Sequence, residues 1–207
     1  MILRIILFIV LAAVLGVTAY IRHLRRQMGV DSMNVYRLRM GGAPVYTRLR
    51  KFIRVHGFPP AVKIKGVMIP VHSEEDLNEL IGSDYTSRYE LDLCYNGFRM
   101  NYFLGGRLVI TDIDFRKTEQ VLTYGNLVFD RHFTYSDFSE VFPLSAAQDV
   151  YHSTGIQSLF ELNTGESACN KETYMVIRWS KDNLLAHPTV EFTFQDGKLI
   201  YIFFANF

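Results

Sequence analysis

Tyr89-Glu-Leu-Asp-Leu-Cys-Tyr-Asn-Gly-Phe-Arg-Met-Asn-Tyr-Phe-Leu-Gly-Gly-Arg-Leu-Val-Ile-Thr-Asp-Ile-Asp-Phe115 is the stretch that decides how this chain folds. Tyr89, Leu91, Leu93 and Tyr95 alternate with Glu90, Asp92 and Cys94, the period of two that sends successive side chains to opposite faces of a strand. Asn96-Gly97 follows, and both residue types accept the positive φ angles of a type I′ hairpin turn. Phe98, Met100, Tyr102 and Leu104 continue the alternation to Gly105-Gly106, after which Arg107 to Phe115 returns. The spacing predicts a three-stranded antiparallel meander.

Upstream of it, Val62 to Ile69 reads as a strand and Ser73-Glu-Glu-Asp76 as a helix start, with a hydroxyl to accept an orphan N–H and carboxylates to complement the dipole. Leu77, Leu80 and Ile81 supply the buried stripe and Gly82 the stop. The same design recurs downstream. Asn126 to Asp130 reads as a strand, Thr134-Tyr-Ser-Asp137 as a helix start, Phe138, Val141 and Phe142 as the stripe and Pro143 as the stop. Tyr174 to Trp179, Thr189 to Gln195 and Lys198 to Phe207 then form a second meander, and Gly197-Lys-Leu-Ile stands where Gly106-Arg-Leu-Val stands in the first. The fold class predicted is α+β: a domain over residues 61–207 made of two β-α-β-β-β units, about 61–120 and 121–207. Leu199 to Phe207 is apolar on both faces, as an interior strand would be.

The second unit is longer by about 30 residues, mostly between Pro143 and Thr173, and loops of that length are commonly functional. Ile156, Leu159, Phe160 and Leu162, with Glu161 among them, either cap the domain's own core or form a partner-binding loop.

Charge divides the chain. Ile5 to Ile21 (IILFIVLAAVLGVTAYI) carries no charge, Arg22 to Lys65 holds 11 Lys+Arg against Asp31 alone, and the remainder has a net charge of −10. Seventeen such residues form a helix of roughly 25 Å, enough for a short membrane span, so residues 1–26 are expected to be a transmembrane anchor with a basic flank. A cleaved signal peptide ending near Val17-Thr18-Ala19 competes, but the run is long for one and Arg22, Arg25 and Arg26 disfavour export of that junction. The positive flank places the C-terminal side in the cytoplasm, although long domains also translocate with little regard to charge. Residues 27–60 are expected to be a basic linker with an amphipathic helix near 45–55. Arg48, Arg50, Lys51 and Arg54, with Arg22, Arg25 and Arg26, are the candidates to face anionic lipid; the alternative is a helix packed on the domain with a solvated basic face. Membrane proximity accounts for the charge without nucleic acid, for which no recognition motif is present.

Little in the sequence specifies chemistry. The six histidines show no metal-binding spacing, and no phosphate loop or serine nucleophile elbow occurs, so neither a cofactor nor enzymatic activity is expected. Asp112 and Asp114 share a strand face, with Asp130 a possible neighbour; the simplest reading is a solvated face rather than acid–base or calcium chemistry. Cys94 and Cys169 would pair only in an oxidising compartment.

The repeated strand, Ser/Thr-x-x-Asp helix, meander and Gly-[Arg/Lys]-Leu return strand resemble uncharacterised bacterial α+β domains, some of which accompany secreted antibacterial toxins as immunity proteins. The resemblance spans most of residues 61–207 and carries over no functional residue. It implies a binding role rather than chemistry; joined to the expected anchor, this gives a single-pass protein of the bacterial inner membrane that binds a protein partner, with a toxin as the first expectation and a structural or assembly role in the envelope as the second.

Overall fold

The computed structural model of the 207-residue chain describes residues 15–16, 31–82, 91–103, 106–148, 164, 171–179 and 189–204. The expected membrane span lies outside them apart from Leu15 and Gly16, and among the described residues no helix is long and apolar enough to cross a membrane.

The fold is α+β, with few helices and two mainly antiparallel sheets. The predicted meander forms as β7 (Leu91–Tyr95), β8 (Phe98–Phe103) and β9 (Arg107–Asp114). Its first turn needs glycine twice over: Gly97 has φ 78°, and a Cβ there would lie 2.7 Å from Thr118 Cβ. The second meander forms as β12 (Lys171–Trp179), β13 (Thr189–Gln195) and β14 (Lys198–Phe204). The last strands of the two meanders pair antiparallel, with Ile202 opposite Ile113, so the meanders meet at the middle of one ten-stranded sheet.

Of the two expected single strands, the first is in fact a hairpin and the second, Asn126 to Asp130, forms as the second arm of one. Val62 to Ile69 is split into β5 (Ala61–Ile64) and β6 (Val67–Pro70), because Lys65 and Gly66 both take positive φ and reverse the chain. Likewise β10 (Leu122–Tyr124) and β11 (Leu127–Phe129) fold about Gly125. Each hairpin leads into a capped helix, α2 (Glu74–Gly82) and α3 (Tyr135–Val141). Asp76 N–H donates to Ser73 Oγ at 3.1 Å while Ser73 N–H donates to Asp76 Oδ2, and Thr134 and Asp137 make the same reciprocal pair. The order in each half is therefore hairpin, helix, meander. Pro143 ends α3 as expected but also opens α4 (Pro143–Ala146), where its missing N–H costs nothing.

The stretch expected to be a linker is part of the fold. β1 (Ser32–Asn34) pairs parallel with β12, and β4 (Tyr46–Arg48) pairs with the first half of β9 on the same edge that β14 occupies further along. β2 (Leu38–Met40) and β3 (Ala43–Pro44) join β10 and β11 in a four-stranded sheet. Asp31, the single acid of the basic stretch, accepts from Leu144 and Ser145 N–H at 2.9 and 3.0 Å and so caps α4. The amphipathic helix expected near 45–55 forms as α1 (Leu49–His56), with the start of that range taken instead by β4.

One face of the large sheet is the core. Val62, Leu93, Met100, Leu108, Ile110, Ile113, Phe192, Phe194 and Ile202 are buried there with Leu77 of α2, Phe138 of α3, Phe52 of α1 and Phe129 of the small sheet. Phe138 lies among Phe142, Tyr174, Phe192 and Phe194 with centroid distances of 5.1 to 5.5 Å, an aromatic cluster that closes the second half.

Candidate binding cavity and sheet edge

The reverse face of the large sheet is polar yet buried at its centre. Cross-strand register places Lys63 beside Asp92, Cys94 beside Arg99, Arg99 beside Asp112, and Tyr201 beside Asp114. A simple count back from the Gly105-Gly106 turn would set Arg99 opposite Thr111 and turn Asp112 towards the core. A bulge in β9 at Thr111 prevents this: the register shifts between Arg99 and Met100, so Asp112 falls opposite Arg99. Thr111 Oγ1 is left buried at the bulge without a hydrogen-bond partner among the described residues.

Arg99 Nε donates to Asp112 Oδ2 at 2.7 Å and Nη2 contacts the same oxygen. Burial pushes the Asp112 carboxyl above its usual range, against the pull of Arg99. Burial alone would lower the Arg99 pKa, but the Asp112 charge and hydrogen bond more than reverse this. Asp114 is held differently: burial raises it, but Arg116, bonding both carboxylate oxygens at 2.8 and 2.7 Å, and Lys117 at 3.2 Å bring it below the usual range. The neighbouring Tyr201 hydroxyl is pushed well up by burial, then by Asp112.

Arg99, Asp112, Asp114 and Tyr201 line a cavity of about 460 Å³ together with Lys63, Gly66, Met68, Cys94 and Lys117. Thr164 also lines it. Asp112 and Asp114 do share a face, as alternation requires, but it is not solvated, and each carboxylate is committed to a cation. Asp130 stands apart from them, accepting from His132 and Phe133 N–H in a local turn. Among the described residues no group of three or more His, Cys, Asp or Glu is placed to hold a metal. Cys94 is a buried free thiol, its Sγ 3.8 Å from Met68 Sδ, and burial, helped by Asp92, pushes it up to about 11. Cys169 lies outside the described residues.

The cavity opens beside β6, which ends the ten-stranded sheet and pairs only with β5 among the described strands. Val67 and Met68 are exposed along it. Of the residues expected to face lipid, Arg48, Arg50, Lys51 and Arg54 are exposed on and beside α1, whose Phe52 is buried against His56, Tyr95 and Phe98. The apolar stripe of that helix is thus spent on the domain. Arg22, Arg25, Arg26, Ile156, Leu159, Phe160 and Glu161 fall outside the described residues.

Sequence reasoning missed Arg99, Lys63 and Tyr201. The turn at Asn96-Gly97 contains enough to place Arg99 beside Cys94, but nothing in the sequence marks the bulge that brings Asp112 to it. The chain matches no known protein family, no curated protein and no solved structure.

Proposed function

We propose that this chain is a membrane-anchored, non-enzymatic binding protein of the bacterial inner membrane, acting as an immunity-type inhibitor that captures a toxin. The observation that supports this reading is the β6 edge. Val67 is 62% and Met68 55% exposed on a strand whose outer edge has no partner among the described residues, beside a cavity carrying fixed charges. Sheet edges of soluble domains are usually blunted by charge or covered, and an exposed apolar edge suits capture of an extended segment of another protein. The net charge of −10 over residues 66–207 favours a basic partner and would speed encounter with it.

Co-expression with a toxin encoded next to this chain tests the reading. The full chain is expected to protect cells, and Val67→Lys with Met68→Lys to abolish protection while leaving the thermal transition in place. No protection by the unaltered chain would refute the immunity role, and protection by the doubly substituted chain would remove the edge from it. An envelope-assembly role is the second reading, favoured by the outward basic face of α1; it predicts no protection but a mislocalised partner when the chain is deleted.

A further inference from the structure

We infer that the basic outer face of α1, with the exposed Phe58, is a contact surface for anionic lipid on which the folded domain rests. The inference builds on the membrane-anchored reading and changes the mode of contact that the sequence suggests. An interfacial helix ordinarily inserts its own apolar stripe. Here Phe52 is buried and Leu49 and Ile53 are partly buried in the domain, so only the opposite side is available.

That side is strongly cationic. Arg48, Arg50, Lys51 and Arg54 are exposed, and α1 contains no acid. None of the four makes an ion pair with a described residue. A planar array of phosphates fits a row of cations along a helix better than a single small anion would.

Apolar side chains complete the patch. Val55 is 48% and Phe58 44% exposed where α1 gives way to Gly57 and Pro59. Tyr95 Oη–H donates to Gly57 O at 3.1 Å, which ties the segment carrying Phe58 to the sheet. An aromatic ring among arginines is the arrangement that seats in a headgroup layer. Reach is also restricted: residues 22–31 separate the apolar run from β1 and span at most about 35 Å even when fully extended. A domain so tethered samples the surface continually, and attraction to it falls off within about 8 Å at physiological salt.

Hydroxyl-radical footprinting of the full chain in lipid nanodiscs tests this, using discs of phosphatidylcholine alone and discs with phosphatidylcholine and phosphatidylglycerol in equal parts. Met68, on the opposite face of the sheet, is the internal reference. Phe58 oxidation relative to Met68 is expected to drop about threefold in the anionic discs, and to recover at high salt. Recovery is likewise expected in the variant Arg50→Gln, Lys51→Gln, Arg54→Gln, which changes only exposed side chains. Equal Phe58 oxidation in the two discs, or protection that survives the three substitutions, overturns the inference. So does protection in phosphatidylcholine discs on adding duplex DNA, which would assign the patch to nucleic acid. Co-elution of chain and disc reports the anchor separately: its loss overturns the anchored reading and the inference together, whereas loss of Phe58 protection alone overturns only the latter.

Discussion

Removing Asp112 while leaving Arg99 should cost far more than removing both. In the folded chain 21% of the Arg99 side chain and 8% of that of Asp112 are exposed, so Asp112→Leu leaves a largely desolvated guanidinium without its counter-charge. Breaking a buried pair in this way costs 3–5 kcal/mol in general, and the low end, about 3 kcal/mol, applies because the cavity lets water reach Arg99. The double substitution Arg99→Met, Asp112→Leu replaces the pair by apolar side chains of similar volume and should return to within about 1 kcal/mol of the unaltered chain. A thermodynamic cycle would then report a coupling of at least about 2 kcal/mol between the two positions. Urea unfolding of the full chain in detergent, followed by circular dichroism, resolves this. With a slope near 2 kcal/mol per molar urea, the single variant should shift the midpoint down by roughly 1.5 M and the double by less than about 0.5 M. A double variant as destabilised as Asp112→Leu would refute the argument, because the cost would then come from lost packing rather than from a stranded charge.

Phe138→Ala should destabilise by about 4 kcal/mol, since the ring is fully buried among four aromatic neighbours; a loss below about 1 kcal/mol by the same urea assay would mean that the cluster is not packed as described. Cys94, with its thiol pushed up to about 11, should resist iodoacetamide at neutral pH in the native chain and react once unfolded, and rapid native labelling at this position would contradict its burial. Asp76 and Asp137 are held below the usual carboxylate range, in each case by hydrogen bonds at a helix N-terminus. Their folded pKa values lie below their unfolded ones, so they add stability above pH 4 or so and lose it as pH falls through the depressed values. Asp76→Asn with Asp137→Asn should therefore flatten the acid limb of the stability curve, and an unchanged limb would assign it to other groups. A chain ending at Gln195 lacks β14, the strand that joins the two meanders, and should show no cooperative thermal transition.

The elements fixed by local chemistry were readable in advance. Asn96-Gly97, the two Ser/Thr-x-x-Asp starts and Gly197 each determine a turn or a cap through their own side chains or their own φ, and all appear where expected, although Asn96 does not take the positive φ of a type I′ turn and Gly97 alone does. The reversal at Lys65-Gly66 was missed because a lysine with φ 48° gives no compositional sign, and the apolar run through it looks continuous. Long-range choices were also hidden. Residues 32–48 read as a basic linker because their charge dominates, while the pairing of β4 with β9 depends on an edge that β14 leaves vacant. The cavity was the least legible feature, since the bulge at Thr111 decides which face Asp112 takes.

The parallel pairing of β1 with β12 carries a consequence for biosynthesis. Ser32 leaves the ribosome long before its partner Ile177 has been translated, and Tyr46 waits in the same way for Val109. Closing loops of that length costs entropy before any contact repays it, so β1 must stay unpaired while most of the remaining chain is made, and β4 until β9 has emerged. Such a polypeptide completes its large sheet only near the end of synthesis, and during that interval its waiting edges are open to pairing with another chain.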